Sequence, residues 1–172
     1  NAPWPGAPDG NGYSLVLIAP ESSPDHALAS NWRSSTEPDG NPGSSDASEP
    51  FTGDPGIDND NDGLTGFLEH ALGSSDTQTS PESYPVVGSG LFDDGIGALR
   101  EYLTITYRRN LAADDVLYEV ELSTDATNWS HDAITFVAST PNADGTENVT
   151  CRSSLPVADM TRQFIHLKVT SR

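Results

Sequence analysis

The alternation of hydrophobic and polar positions changes its period along the chain, and this change divides the sequence. From Glu101 onward the period is two, with Leu103, Ile105 and Tyr107 separated by polar residues. Four further segments with strand-like composition follow, at 116–122, 134–138, 147–152 and 163–169, with turns rich in Asn, Asp and Gly between them. Several short strands at this spacing predict a mainly β fold, with an antiparallel immunoglobulin-like β-sandwich over residues 98–172.

A separate apolar run lies near the start of the chain, at residues 13–18. Its hydrophobic side chains point to both faces, which predicts a strand buried on both sides. We expect this strand to pair either with the sandwich of its own chain or with that of a neighbouring copy. The residues expected to make this contact are Tyr13, Leu15, Val16, Leu17 and Ile18. The rest of residues 1–53 is rich in Ser, Pro, Asp and Gly and predicts an extended segment, with Trp32 as its large apolar anchor.

The middle of the chain has a short helical period. Leu64, Phe67, Leu68 and Ala71 recur at i, i+3, i+4 and i+7, which places them on one face of a helix. Gly73 follows as a C-terminal cap. Residues 54–75 therefore predict a loop and a short helix, and residues 76–97 predict a linker to the sandwich.

Composition narrows the classes of partner. Hydrophobic residues make up 34% of the chain, below the usual value of about 45–50%, so the core is expected to be modest. The formal charge is −18, of which residues 1–100 contribute −14. Such a field repels nucleic acids and anionic membranes and attracts divalent cations.

The acidic residues are concentrated in one loop with a recognisable spacing. Residues 58–69 match the pattern D-x-D-x-D-G-x5-E at every defined position. Ca²⁺ prefers six to eight oxygen ligands at about 2.3–2.6 Å, and alternating carboxylates followed by a glycine turn can surround it. Gly66 has no side chain at the ninth loop position, so we expect a water there. The predicted Ca²⁺ ligands are Asp58, Asp60, Asp62, the carbonyl oxygen of Leu64, and Glu69. The alternative is an acidic turn that precedes a helix without binding metal.

The surroundings of this loop indicate its type. Pro50 and Pro55 oppose a helix before Asp58, which distinguishes the loop from a paired EF-hand. The loop resembles the single loop-helix motifs of thrombospondin type 3 and dockerin-like repeats. The matching sequence segments are Asp54-Pro55, Asp58-x-Asp60-x-Asp62-Gly63 and Glu69-x-x-Leu72-Gly73. This resemblance implies a structural role for Ca²⁺.

Two further resemblances concern the flanking regions. Residues 12–46 resemble the end of a bacterial lamin-tail domain, through Gly12-Tyr-Ser-Leu-Val-Leu-Ile18, Asn31-Trp32 and Gly40-Asn-Pro-Gly43. Residues 101–171 resemble a C-terminal β-domain of large secreted or surface proteins of environmental bacteria, through residues 102–109, 118–125 with Trp129, and 164–169. Both imply an extracellular, non-catalytic setting on a bacterial cell surface.

The remaining features bear on location and chemistry. Cys151 is the single cysteine, which excludes an internal disulfide, and we expect it to be a core residue. No apolar run reaches the roughly 20 residues of a membrane-spanning helix. No signal peptide is visible, and the chain begins at Asn1, so we interpret it as a processed mature chain or a piece of a longer one. No metalloprotease, nucleophile-elbow, P-loop or dinucleotide-binding motif occurs.

Three functions remain open at this stage. The first is a secreted, Ca²⁺-stabilised structural or cell-surface protein whose partners are other surface proteins or copies of itself, the latter joined into filaments by strand addition at residues 13–18. The second is a carbohydrate-binding accessory domain of a larger secreted enzyme. Trp129 and Tyr118 are its candidate sugar-stacking residues, although such aromatics more often belong to the core of a sandwich. The third and weakest is an enzyme, which would need a carboxylate pair outside the calcium loop.

Overall fold

The computed structural model describes residues 4–172. Over that range the chain forms one α-helix, α1 (Gly66–Leu72), four short 3₁₀ turns and eight β-strands. The strands are β1 (Tyr13–Leu17), β2 (Trp32–Pro38), β3 (Val86–Asp93), β4 (Leu99–Asn110), β5 (Val116–Ser123), β6 (Ile134–Pro141), β7 (Thr146–Ser153) and β8 (Phe164–Ser171). The fold is mainly β, as the sequence predicts.

The sandwich consists of two antiparallel sheets of unequal size. The larger sheet has the order β3-β4-β7-β6, and the smaller one pairs β5 with β8. All five strands predicted from Glu101 onward are present as β4 to β8. The core between the sheets is small, as expected from the low hydrophobic content. Its buried residues are Ile105, Tyr107, Val120, Val149 and Cys151.

The first apolar strand pairs within the chain with a strand that the sequence did not predict. β1 pairs antiparallel with β2, and Leu15, Val16 and Leu17 lie opposite Ser34, Arg33 and Trp32. The prediction of a strand buried on both sides is wrong, because no residue of β1 is fully buried and Leu15 is 40% exposed. Within this chain β1 does not pair with the sandwich. The missed strand is β2, whose Ser- and Arg-containing sequence has no two-residue apolar alternation.

The predicted linker is also partly a strand. Residues 86–93 form β3, which pairs with β4 over its whole length, from Val86 opposite Thr106 to Asp93 opposite Leu99. Gly88 and Gly90 weakened the strand signal in this segment, because glycine is disfavoured in strands on average. The linker between α1 and the sandwich is therefore shorter than predicted.

One turn between β4 and β5 joins the N-terminal part, the helix and the sandwich. Asp114 accepts a 2.6 Å hydrogen bond from the Nε of Arg33 in β2. Asp115 accepts one bond of 2.9 Å from the backbone N–H of Phe51 and makes another of 2.9 Å with His70 Nε2 in α1. Ala71 packs against Ala113 and Val116 in a second small core. This turn fixes the position of α1, and hence of the acidic loop, relative to the sandwich.

A candidate calcium site in the loop before α1

The acidic loop is folded by its own carboxylates. Asp58 accepts hydrogen bonds from the backbone N–H groups of Gly63 at 2.8 Å and Asp62 at 3.2 Å. Asn61 and Gly63 adopt left-handed backbone conformations with φ of 60° and 99°. Asparagine and glycine are the residues that tolerate this region best, so the sequence permits the reversal that curls the loop.

The three aspartates converge at the centre of this loop. A carboxylate oxygen from each of Asp58, Asp60 and Asp62 lies within 4.8 Å of the other two. Leu64 donates its N–H to Asp62 Oδ1 at 2.9 Å, and its side chain is buried. The role of the Leu64 carbonyl as a ligand stays a prediction. Three acidic groups at this separation repel one another unless a cation lies between them.

Glu69 is the most informative member of the predicted ligand set. It lies on α1, its residue is 0% exposed, and neither carboxylate oxygen has a hydrogen-bond partner. Burial, followed by the charges of Asp60 and Asp62, raises the pKa of Glu69 to about 7. A buried carboxylate without any donor is costly, and nearly all buried polar groups in proteins are satisfied. Asp60 Oδ2 is a further buried oxygen without a partner in the same cluster. Glu69 is not one of the three residues whose carboxylate oxygens converge within 4.8 Å of one another. Carboxylate oxygens are ligands that Ca²⁺ prefers, and a cation that reached both Asp60 and Glu69 would satisfy these orphaned oxygens.

The helix that carries Glu69 follows the sequence prediction. α1 ends at Leu72, and Gly73 has a φ of 70° and donates its N–H to the carbonyl of Glu69. Leu64 and Ala71 are buried, whereas Phe67 and Leu68 are half-buried. No α-helix precedes the loop in the part of the chain that the structure describes, which agrees with the expected single loop-helix unit.

Sequence reasoning missed Asp76, which lies beyond the twelve-residue motif. Its Oδ2 is 3.5 Å from the point where a Cβ on Gly66 would stand, so the carboxylate occupies the side of the loop where we expected a water. Asp76 Oδ1 accepts a 2.5 Å hydrogen bond from the side-chain amide of Asn59, and its charge contributes to the raised pKa of Glu69. The missing side chain at Gly66 was the only sequence signal that another group could enter there.

The segment after α1 also holds the outer side of the loop. Ser80 donates its N–H to Asp62 Oδ2 at 2.9 Å, and the Tyr84 hydroxyl donates to the carbonyl oxygen of Asp62. Residues 76–84 thus hydrogen-bond to the acidic loop at several points while much of the loop stays exposed. Both contacts connect residues that are far apart in sequence, which is why no local pattern predicts them.

Other candidate residues have structural roles. Tyr118 belongs to the sandwich core, stacks on Tyr107 with ring centroids 6.1 Å apart, and donates its hydroxyl to the Ala71 carbonyl at 2.6 Å. Trp129 stacks on His166, with ring centroids 3.8 Å apart, and glycan binding by Trp129 and Tyr118 stays an untested alternative. Cys151 is buried, as expected, and burial raises the pKa of its thiol to about 11.

Comparisons of the chain with protein-family models, curated proteins and solved structures find no match. Between residues 4 and 172 the structure contains no helix that is both long and apolar enough to span a membrane. The interpretation of function therefore depends on the geometry of the loop and its attachments.

Proposed function

We propose that this chain is a non-catalytic, extracellular structural module in which a Ca²⁺ ion braces the join between the N-terminal part and the β-sandwich. The observation that carries the proposal is the Glu69 carboxylate, which is fully buried without a hydrogen-bond donor beside three converging aspartates. Glu69 is also the bidentate position of the motif. The extracellular setting agrees with the acidic composition and with the resemblance to loop-helix repeats of secreted proteins.

The bracing role follows from what α1 contacts. His70 bonds to Asp115, Asn110 Nδ2 donates to the His70 carbonyl at 3.0 Å, and Tyr118 donates to the Ala71 carbonyl at 2.6 Å. Asp115 in turn accepts the Phe51 N–H from the segment that precedes the loop. A cation that holds Glu69 holds the first turns of α1, and α1 is anchored to the sandwich at these points. The bound ion would therefore stabilise the packing of three parts of the chain.

We include Asp76 in the ligand set. It lies beside the loop at the ninth position, and its carboxylate would add a negative charge to the four acidic side chains of the motif. Ca²⁺ affinity rises with the number of charged ligands, so Asp76 is expected to tighten binding. It would also draw residues 76–84 onto the ion, which would extend the brace toward β3.

The test is an isothermal calorimetric Ca²⁺ titration of the chelator-treated protein. Extracellular sites of this kind have dissociation constants of about 10⁻⁴–10⁻³ M, so millimolar Ca²⁺ approaches or reaches saturation. We expect one site, lost in Asp60→Ala and weakened about tenfold in Asp76→Asn. Asp54→Asn is the matched control, because it removes the same charge from an exposed position just before the loop. No binding heat in the native chain would overturn the proposal, and equal weakening by Asp54→Asn would remove Asp76 from the ligand set.

A further inference from the structure

A groove of about 740 Å³ lies where the N-terminal part of the chain meets the sandwich. Trp4 and Trp32 line it from the N-terminal part, whereas Tyr118 and Phe136 line it from β5 and β6. Its volume lies within the range of about 300–1,000 Å³ that is usual for small-molecule sites. No residue of the acidic loop lines it. The groove is therefore a candidate binding site that is separate from the calcium loop.

The two tryptophans form an aromatic wall that is held in place. Trp32 donates its indole N–H to the carbonyl oxygen of His26 at 3.0 Å, and the His26 ring packs edge-on against it. Trp4 packs on Trp32 with ring centroids 6.2 Å apart and ring planes tilted by 44°. Trp4 is nevertheless 52% exposed, so much of its surface has no cover within residues 4–172. A large ring that is positioned in advance and left open is suited to packing against a ligand.

The charged side chains that line the groove balance one another. They are Arg33, Arg109, Asp114, Glu119, His131, Asp132 and Arg172. With His131 neutral, three arginines and three acids leave no net charge in the lining, although the whole chain carries −18. Each of the three acids also has a basic neighbour: Asp114 lies 2.6 Å from Arg33, Glu119 lies 3.0 Å from Lys168, and Asp132 lies 3.2 Å from His131. A lining without net charge favours a neutral ligand over a cationic or an anionic one.

Arg109 supplies hydrogen-bond donors that are oriented in advance. Its Nε donates to Glu147 Oε1 at 2.6 Å, its Nη2 contacts the same oxygen, and Glu147 is 1% exposed. A planar guanidinium has five N–H donors, so this pairing fixes its plane and leaves Nη1 for an acceptor in the groove. The Arg109 side chain is 27% exposed, which keeps it open to a ligand. The groove thus combines aromatic surface with a fixed donor for ligand oxygens.

The strand edges at the groove are too short to pair with an added peptide strand. On β5, Leu122 exchanges both backbone hydrogen bonds with Ser130 at 2.9 and 3.0 Å, so the even-numbered residues of β5 point away from β8. The Val116 N–H is already bonded within the preceding turn at 3.2 Å, which leaves Tyr118 and Val120 with both outward groups free. On β6 the pairing register shifts after residue 136. Because strands usually extend over about five or six residues, these edges favour a ligand held by side chains over an extended peptide.

We propose that this groove binds a neutral glycan. The C–H face of a sugar ring would pack on Trp4, because the face of an aromatic ring is electron-rich and attracts weakly positive hydrogens. The sugar hydroxyls would accept hydrogen bonds from Arg109. The tilt between Trp4 and Trp32 suits consecutive sugar rings, which are rotated relative to one another along a glycan chain. The site differs from the alternative at Trp129, which does not line the groove, and it goes beyond the proposed function by giving the structural module a ligand.

The experiment is native affinity electrophoresis of the whole chain in millimolar Ca²⁺, in gels that contain a soluble polysaccharide. The neutral probes are hydroxyethyl cellulose, xyloglucan, galactomannan and dextran, and hyaluronan is the acidic probe. We expect at least one neutral polysaccharide to retard the native chain. Trp4→Ala should weaken that binding about tenfold or more, because it removes the open aromatic surface. Retardation by hyaluronan alone, or by none of the probes, would overturn the proposal.

Trp129→Ala is the matched control, because it removes the same side chain from outside the groove, where it stacks on His166. It should bind as the native chain does, and a loss as large as that in Trp4→Ala would contradict the proposed site. Arg109→Lys keeps a cation beside Glu147 but lacks the planar fork, so it should also weaken binding. Competition by decaproline, which packs on aromatic grooves, would identify the ligand as a proline-rich peptide instead. Trp4→Ala should give the native Ca²⁺ titration, so failure of glycan binding with intact Ca²⁺ binding would refute this inference and leave the proposed calcium module standing.

Discussion

Replacement of Glu69 by Gln gives opposite expectations with and without Ca²⁺, and this makes it the sharpest test of the site. Without the ion, Glu69 is a buried carboxylate near Asp60 and Asp62, so removing its charge relieves repulsion. With the ion, the same carboxylate is the proposed bidentate ligand, and an amide replaces it poorly. The variant should therefore be as stable as the native chain, or more so, in chelator, and less stable in Ca²⁺.

The size of the effect can be worked from mass action. A dissociation constant of about 10⁻⁴ M and 10 mM Ca²⁺ correspond to 100-fold excess, which stabilises the folded state by about 2.7 kcal/mol. For a chain of this length each kcal/mol raises the melting temperature by about 2–4 °C, so the native protein should gain roughly 5–11 °C. A tenfold weaker site would reduce the stabilisation to about 1.4 kcal/mol, which halves the gain.

The assay is differential scanning calorimetry of both proteins in chelator and in 10 mM Ca²⁺, with Mg²⁺ at the same concentration as an ionic-strength control. Asp54→Asn, which removes an exposed charge near the loop, should keep the whole Ca²⁺-dependent gain. The reasoning fails if Glu69→Gln also keeps it. It fails equally if Mg²⁺ reproduces the gain in full, because the stabilisation would then be general screening of the −18 charge.

Three further predictions concern the framework around the site. Asp46→Asn should lower the unfolding free energy by about 3 kcal/mol at pH 6, because Arg33 is buried and keeps only Asp114 as a partner. Burial raises the pKa of Asp46, but the hydrogen bonds from Arg33 and from the Thr36 N–H lower it by more, so the net pKa is depressed. The contribution of Asp46 to the unfolding free energy is therefore complete above its unfolded pKa of about 3.9 and is lost as pH falls through its folded pKa. Urea titrations of the native protein and Asp46→Asn should show a smaller difference in unfolding free energy at pH 3 than at pH 6. Tyr118→Phe should cost about 1 kcal/mol in urea unfolding through loss of the bond to the Ala71 carbonyl, and a loss below about 0.3 kcal/mol would argue against this attachment of α1. Cys151 should react with a thiol reagent only in denaturant, since it is buried and burial raises its pKa to about 11, and rapid labelling of the native protein would contradict its core position.

The sandwich strands and α1 could be predicted because the hydrophobic positions in their local sequence pattern are the positions that the fold buries. In β4, Ile105 and Tyr107 alternate with polar residues, and these two are the positions that enter the core. Of the predicted stripe, Phe67, Leu68 and Ala71 lie in α1 and Leu64 lies just before it, and Gly73 takes the left-handed conformation that ends the helix. Here intrinsic propensity, periodicity and capping agree, and agreement of these signals is what makes an element predictable.

β2, β3 and Asp76 could not be predicted because their roles depend on contacts distant in sequence. Arg33 is the second residue of β2 and is buried because Asp46 and Asp114 neutralise it, and Asp114 is 81 residues away in sequence. Val86, Val87 and Leu91 of β3 stay exposed, so burial does not explain most of its apolar pattern. Asp76 reaches the loop after the chain has passed through α1. The pairing of β1 with β2 could not be predicted for a related reason, since the apolar pattern of a strand does not specify which strand pairs with it.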